Sequence, residues 1–337
     1  GEPEELPRLC AGAEPLLAAA ANLITGYRRE AAGDPDAALA ATERALDLFA
    51  DRPWPRAICH CRIAELCLHL ERGARARDHL LAALPVLHRL GARADAAGVR
   101  SLLVLADLQV GDTAEAQRRL AGLARVALDE GEVRTVGYGL GIQGELSLAR
   151  GEVEAGLRLW RRVADQVRDA GVVPSTGIPF DLDPWVVEAR SAAVVAHARH
   201  GRLDLVADVA AALTGPLEHL LTHPPANPPP YLVERSLCGT LLLAAATADL
   251  ARARTGNDRQ RAARMLALAE RMGFRRAFQP TMSAAAARAD AERADRSAYR
   301  EASSRYADLD PAGLRAAALD LLGRHPADGG QRVRSRL

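Results

Sequence analysis

Apolar residues in this chain recur three and four positions apart through long stretches, and most stretches close at a turn that carries glycine. The clearest follows Gly33-Asp34-Pro35, where Ala38, Leu39, Thr42, Ala45, Leu46 and Phe49 form one stripe of a helix. Asp34 is placed to cap that helix, and Pro35 suits its first position, where no backbone N–H is needed. With the preceding stretch, Glu14 to Ala32, it predicts a helical hairpin over residues 14–50. A second hairpin follows Pro53-Trp54-Pro55 and ends near Leu90; its stripe is Leu80, Leu81, Leu84 and Leu87, and Pro85 predicts a kink. A third spans 93–130, with Ala116, Leu120, Leu123 and Val126. A fourth spans 133–170, with Leu157, Trp160, Val163 and Val167. The glycines Gly33, Gly73, Gly111 and Gly151 recur about every 40 residues, and a period of that size marks stacked helical hairpins.

The regularity stops at residues 171–184, a loop with three prolines and no helical period. Loops of that length in a compact array are often functional. A fifth hairpin is predicted over about 185–221, from Trp185 to His200 and from Arg202 to Leu221. Residues 223–230 read as a stiff proline-rich linker, and a sixth hairpin runs from Tyr231 to Met272. Two further helices, about 280–303 and 311–323, complete the pattern, the second opening at Asp310-Pro311. No segment alternates as a strand does. The predicted class is all-α: a right-handed superhelix, an α-solenoid, of about six hairpins followed by C-terminal helices. Residues 1–13 are expected to be a flexible N-terminus, 14–170 the first four hairpins, 185–275 two more, 276–325 the C-terminal helices, and 326–337 a disordered basic tail with Arg332, Arg334 and Arg336.

Gly26, Gly33, Ala38 and Ala45 fall at the spacing where tetratricopeptide (TPR) repeats keep small residues. Gly144 and Gly151 repeat the first two, and Trp160 takes the large-residue position of the second helix. On these positions residues 14–275 resemble TPR repeats. The period exceeds that of the standard repeat, which is about 34 residues. Arg29, His69, Asp107 and Ser147 stand where the first helix usually has an aromatic. Divergent repeats rich in Ala, Leu and Arg are similar to the C-terminal helical regions of large bacterial transcription regulators of the antibiotic-regulatory and maltose-activator-like types. That resemblance implies a region that senses a ligand or partner, or holds the protein inactive. The chain opens Gly-Glu-Pro-Glu-Glu rather than on Met, which reads as a fragment of a larger parent.

Composition narrows the chemistry. Among 337 residues there is no lysine; all 44 basic residues are arginines. A Walker A loop, a pyridoxal Schiff base and a protein kinase each need a lysine. Net charge is +1, so no large field favours nucleic acid or an anionic membrane. No apolar run is long enough to span a bilayer. Five cysteines, an odd number without a secretion signal, suggest reduced thiols and a cytoplasmic setting.

Four patterns resemble known sites, and each has a plainer reading. Gly139-Leu140-Gly141-Ile142-Gln143-Gly144 spells a dinucleotide fingerprint, but Val133-Arg134-Thr135-Val136 is too polar for the buried strand that should precede it; close helix packing is expected. Cys59, His60, Cys61, Cys67 and His69 cannot converge on one ion from a single helix, since residues 59 and 67 stand about 12 Å apart along the axis. His219 and His223 share a helix face with no third ligand near in sequence. Asp181 and Asp183 form a loop carboxylate pair, yet Asp183-Pro184 is an ordinary helix start. No cofactor is therefore expected.

The leading functional expectation is a non-catalytic sensor or interaction module, its concave groove lined by the first helices of the hairpins. Arg28, Arg29, Arg62, Arg100 and Arg134 lie on or near those helices and can clamp a carboxylate-bearing peptide, a protein partner or a small anionic ligand. Two alternatives stand beside it. One is an enzyme on a closed ring of six hairpins, which the 4% aromatic content and the lack of an acid or metal cluster disfavour. The other is an oligomerisation module, including a homodimer, signalled by exposure of Trp54, Trp160 or Trp185.

Overall fold

The computed structural model describes residues 7, 8, 10, 14–130, 133–169, 180–223, 234–274 and 279–323, and their side chains except those of 124–130, 133–138, 167–169, 180 and 234. The 171–179 part of the expected loop, most of the proline-rich linker, and the tail lie outside them, as do the side chains of Val126, Arg134 and Val167. All regular structure among the described residues is helical. The helices are α1 (Pro15–Ala31), α2 (Pro35–Leu48), α3 (Pro53–His69), α4 (Gly73–Arg89), α5 (Arg93–Gln109), α6 (Thr113–Glu130), α7 (Val133–Ala149), α8 (Val153–Asp169), α9 (Pro184–Arg199), α10 (Ala207–Ala212), α11 (Thr214–Thr222), α12 (Glu234–Arg252), α13 (Gly256–Met272), α14 (Ala284–Ala307) and α15 (Pro311–Leu321). They fall into two compact units, Gly1–Leu159 with Arg276–Pro280, and Trp160–Arg275 with Thr281–Leu337; the division falls within α8.

The repeat is finer than the hairpin. Helix starts at 53, 73, 93, 113, 133 and 153 are evenly spaced, and one module is a helix plus a short turn. Most of these helices have 17 residues, about 25 Å of axis. Relative to the standard TPR hairpin, each arm gains about one turn.

The turns after α1, α3, α4, α5 and α7 are Schellman motifs with a left-handed residue after the helix. At α1 the N–H of Gly33 donates to Glu30 O and that of Asp34 to Arg29 O; Gly111 and Asp112 repeat this after α5, and Gly151 and Glu152 after α7. Gly33, Gly111 and Gly151 have φ of 82°, 81° and 78°. After α3 the left-handed residue is Glu71, with φ 57°, so Gly73 is not the turn residue its spacing suggested. Gly73 instead opens α4 against α5: a Cβ there would lie 2.7 Å from Gln109 Cβ and 3.1 Å from Ala106 O. This shifts the repeat register of the second hairpin by two. Arg29, Asp107 and Ser147, whose carbonyls accept the last turn bond, therefore correspond to Cys67 rather than His69. With Glu71 as the turn, the short step of the array is the first, from Gly33. Its cause is local: α2 has only 14 residues, so α3 begins early.

A non-glycine residue at positive φ costs about 1 kcal/mol. Replacing Glu71→Gly is therefore expected to stabilise the first unit by about 1 kcal/mol, and Gly111→Ala to destabilise it by a similar amount. Urea midpoints of the two variants, moving in opposite directions, check this.

The first unit has a core running from Ala38 and Leu39 through Ile63, Leu66, Leu80, Leu87, Leu103 and Leu105 to Ile142 and Leu146, with a smaller one of Ala19, Ala45, Phe49 and Cys59. Leu81, expected in the α4 stripe, is exposed; Ala76, Leu80, Ala83 and Leu87 form the buried face. Pro53-Trp54-Pro55 is the first turn of α3 rather than a break before it, since proline is tolerated where N–H groups lack helical partners. Gly26 does keep helices close: a Cβ there would stand 2.7 Å from Thr42 Oγ1 and 3.2 Å from Ala38 O. In the second unit α9 is buried from Val186 to Ala198, and α12 and α13 supply a second core with Leu237, Leu241, Leu242, Leu266 and Leu268. The expected helix over 202–221 is broken into a 3-10 turn, α10 and α11. Pro216 accounts for the second break, because its ring excludes the helical carbonyl four residues back. Asp34, Asp183 and Asp310 cap α2, α9 and α15, each followed by proline at the first helical position.

Candidate functional site

Where α1 and α3, the first helices of successive hairpins, approach each other, five polar side chains gather. Arg62 on α3 donates to Glu30 on α1 and, at 2.7 Å, to Glu65 one turn further along its own helix. Its guanidinium carbon lies 4.7 Å from the centre of the Tyr27 ring, a cation–π arrangement. Glu30 also has His69 Nδ1 at 3.8 Å. Burial raises the Tyr27 hydroxyl pKa against the lowering field of Arg62, so the phenol is neutral and able to donate at physiological pH. The Arg62 side chain is 12% exposed, Glu30 27% and Glu65 39%, so both carboxylates are half-buried and Glu65 is the more accessible of the two.

The structure brings one of the five sequence-selected arginines into this cluster. Tyr27 and Glu30 mark the side of α1 that meets Arg62. Arg28 and Arg29 stand about 100° and 200° round the helix from Tyr27. Arg100 lies 2.5 Å from His88 Nε2 on α4. The Arg134 side chain is outside the described residues. Sequence reasoning missed Tyr27, Glu30, Glu65 and His69. The Arg62–Glu65 spacing on one helix is a readable signal, but the match of Glu30 to Arg62 depends on how two hairpins stack.

The other sequence candidates resolve as follows. The glycine-rich 139–144 segment lies inside α7, with no strand before it. A Cβ on Gly156 would stand 3.0 Å from Gly144 O, so this pair sets a close α7–α8 approach. Cys59 and Cys67 are buried in the core, and burial lifts the Cys59 thiol to about 11 and the Cys61 thiol to about 12, which leaves both protonated at neutral pH. His60 turns towards α4 and its Nδ1 lies 2.9 Å from that of His79; burial, then the neighbouring His79, lowers His60 to about 4. His219 and His223 stack at 5.1 Å. Asp183 accepts from Trp185 N as a helix cap, and Asp181 pairs with Arg190 at 2.7 Å. Trp160 is buried, Trp185 half-buried and Trp54 exposed. Among the described residues no three His, Cys, Asp or Glu side chains are grouped to hold a metal ion, and no helix is long and apolar enough to cross a membrane.

No family model matches this chain, and no curated protein does. Among solved structures, the Rap conjugation gene regulator of the plasmid pLS20, in complex with the Phr* peptide, aligns with a TM-score of 0.52 at 12% identity, over 90% of this chain and 80% of that one. The likeness establishes the fold: an all-α, TPR-like helical repeat.

Proposed function

We propose that this chain is a non-catalytic peptide- or protein-binding module, the sensing region of a bacterial transcription regulator, and that Arg62 is the anchor of its groove. The observation that carries the reading is the asymmetric pairing of Arg62. Glu30 and Tyr27 hold the guanidinium in place across two hairpins, while the more accessible Glu65 takes the other nitrogen of its fork. A carboxylate of an incoming peptide can replace Glu65 there without breaking the link between α1 and α3, and a preordered guanidinium fork suits such a ligand. The similar Rap regulator is solved with a peptide bound, which supports the same class of partner here. Arg28, Arg29, Arg100 and Arg134 extend the basic character of these helices and are proposed as secondary contacts.

Selection of peptides from a random library against the whole chain tests this. Enriched peptides are expected to carry an acidic residue or free C-terminus, and to lose affinity roughly tenfold or more in Arg62→Gln. Glu65→Gln is expected to preserve or tighten binding. Unchanged binding in Arg62→Gln, with the melting temperature intact, would place the groove elsewhere.

A further inference from the structure

The outer face of α1 is apolar. Leu16, Leu17, Ile24 and Tyr27 are 43%, 57%, 49% and 47% exposed, while Ala19, Ala21, Asn22, Thr25 and Gly26 form the buried side of the same helix. At 100° per residue the four fall within an arc of about 100°, with Ala20 among them. Scattered exposed apolar residues are ordinary, but a contiguous set marks a contact surface.

The charges around this face are self-complementary. Glu14, at the N-cap, and Arg28, in the last turn, lie on the same side of α1, beyond the Leu17 edge of the face, and about 21 Å apart along the axis. Consider a two-fold axis crossing α1 at right angles between Ala20 and Ala21. It sets two copies antiparallel, with Leu17 of one opposite Ile24 of the other and Glu14 of one beside Arg28 of the other, at both ends. Ala20 sits at the crossing, where a small side chain lets two helices approach. A parallel pair would put Glu14 level with Glu14 and Arg28 level with Arg28, and so could not bring the opposite charges together. Arg28 already takes part in an interaction within its own chain, and a guanidinium has five N–H donors, enough to serve both. We infer that the α1 face is the docking surface for a second copy of this chain, packed antiparallel through Leu16, Leu17, Ile24 and Tyr27.

Analytical ultracentrifugation of the whole chain over a wide concentration range tests the inference. The unaltered protein is expected to dimerise. Arg28→Glu and Glu14→Arg are each expected to weaken the dimer roughly tenfold, and the double variant Glu14→Arg with Arg28→Glu to restore it, because the swapped charges again meet in an antiparallel pair. Leu17→Ser is expected to weaken it whatever the charges. Helicity and melting temperature confirm that each variant folds. Arg28 is also a proposed secondary contact of the peptide groove, so Glu14→Arg and Leu17→Ser, at residues outside that groove, separate the two readings: both are expected to keep peptide binding through Arg62 while weakening the dimer. A protein that stays monomeric at every concentration overturns the inference. So does a dimer indifferent to these changes, or a double variant that folds and does not reassociate.

Discussion

Gly239→Ala should destabilise the second unit by about 3 kcal/mol, at the upper end of what overpacking costs. A Cβ on Gly239 would lie 1.9 Å from Gly273 O, 2.9 Å from Gly273 C and 3.0 Å from Ala269 O. All three are backbone atoms, so no rotamer change relieves the clash and α12 must shift off α13. The partner has no freedom either. Gly273 ends α13 with φ 81° and ψ 152°, and its N–H is bound to Ala269 O and Glu270 O. Chemical denaturation followed by helicity should show an earlier transition for Gly239→Ala, with Gly215→Ala, where a Cβ meets nothing within 4 Å, as the control. A neutral result would mean that the two helices do not pack this closely.

Arg119→Ala should cost the first unit about 3 kcal/mol near neutral pH, because it strips a buried carboxylate of its bonded cation. Asp107 on α5 is fully buried; Arg119 Nε on α6 donates to its Oδ2 at 2.7 Å, and Arg77 on α4 is next nearest, 3.7 Å from Oδ1. Burial raises the Asp107 pKa above its usual 3.8, and Arg119 is the strongest influence pulling it back down. The sign follows. A carboxyl whose folded pKa is raised contributes most below the unfolded value, and that contribution is lost as pH rises through the folded one. Removing Arg119 raises the folded pKa further. The deficit of Arg119→Ala should therefore be largest at neutral pH and shrink as pH falls towards 3.8. Asp107→Asn added to Arg119→Ala should recover part of the loss at neutral pH, since an amide needs no counter-charge. A deficit independent of pH would assign the loss to packing by the Arg119 stem rather than to charge.

These two contacts also mark the limit of what was legible in the chain. Helix starts were readable where two local signals coincide, as at Asp34-Pro35, Asp183-Pro184 and Asp310-Pro311, because a cap and a fixed φ act within a few residues. Glycine was ambiguous. Gly33 and Gly111 supply a left-handed turn, whereas Gly73 and Gly239 supply a missing Cβ, and nothing within a few residues separates the two roles. Treating Gly73 as a turn placed His69 where Cys67 belongs. The polar cluster around Arg62 was partly visible: Arg62 was selected, and Glu65 stands one turn away. Glu30 and Tyr27 lie on another hairpin, so their convergence depends on stacking geometry, as does the burial of Asp107 between two arginines.

The even step between helix starts bears on how such a chain can change length. One module reverses the direction of travel, so losing or gaining a single one would send every later helix of the first unit the opposite way and exchange inner helices for outer ones. Two modules restore the direction. Insertions and deletions in α3–α7 are thus subject to a parity rule: whole hairpins are permitted, half hairpins scramble everything that follows. The same rule offers a route for altering the reach of the array while leaving the Arg62 cluster untouched.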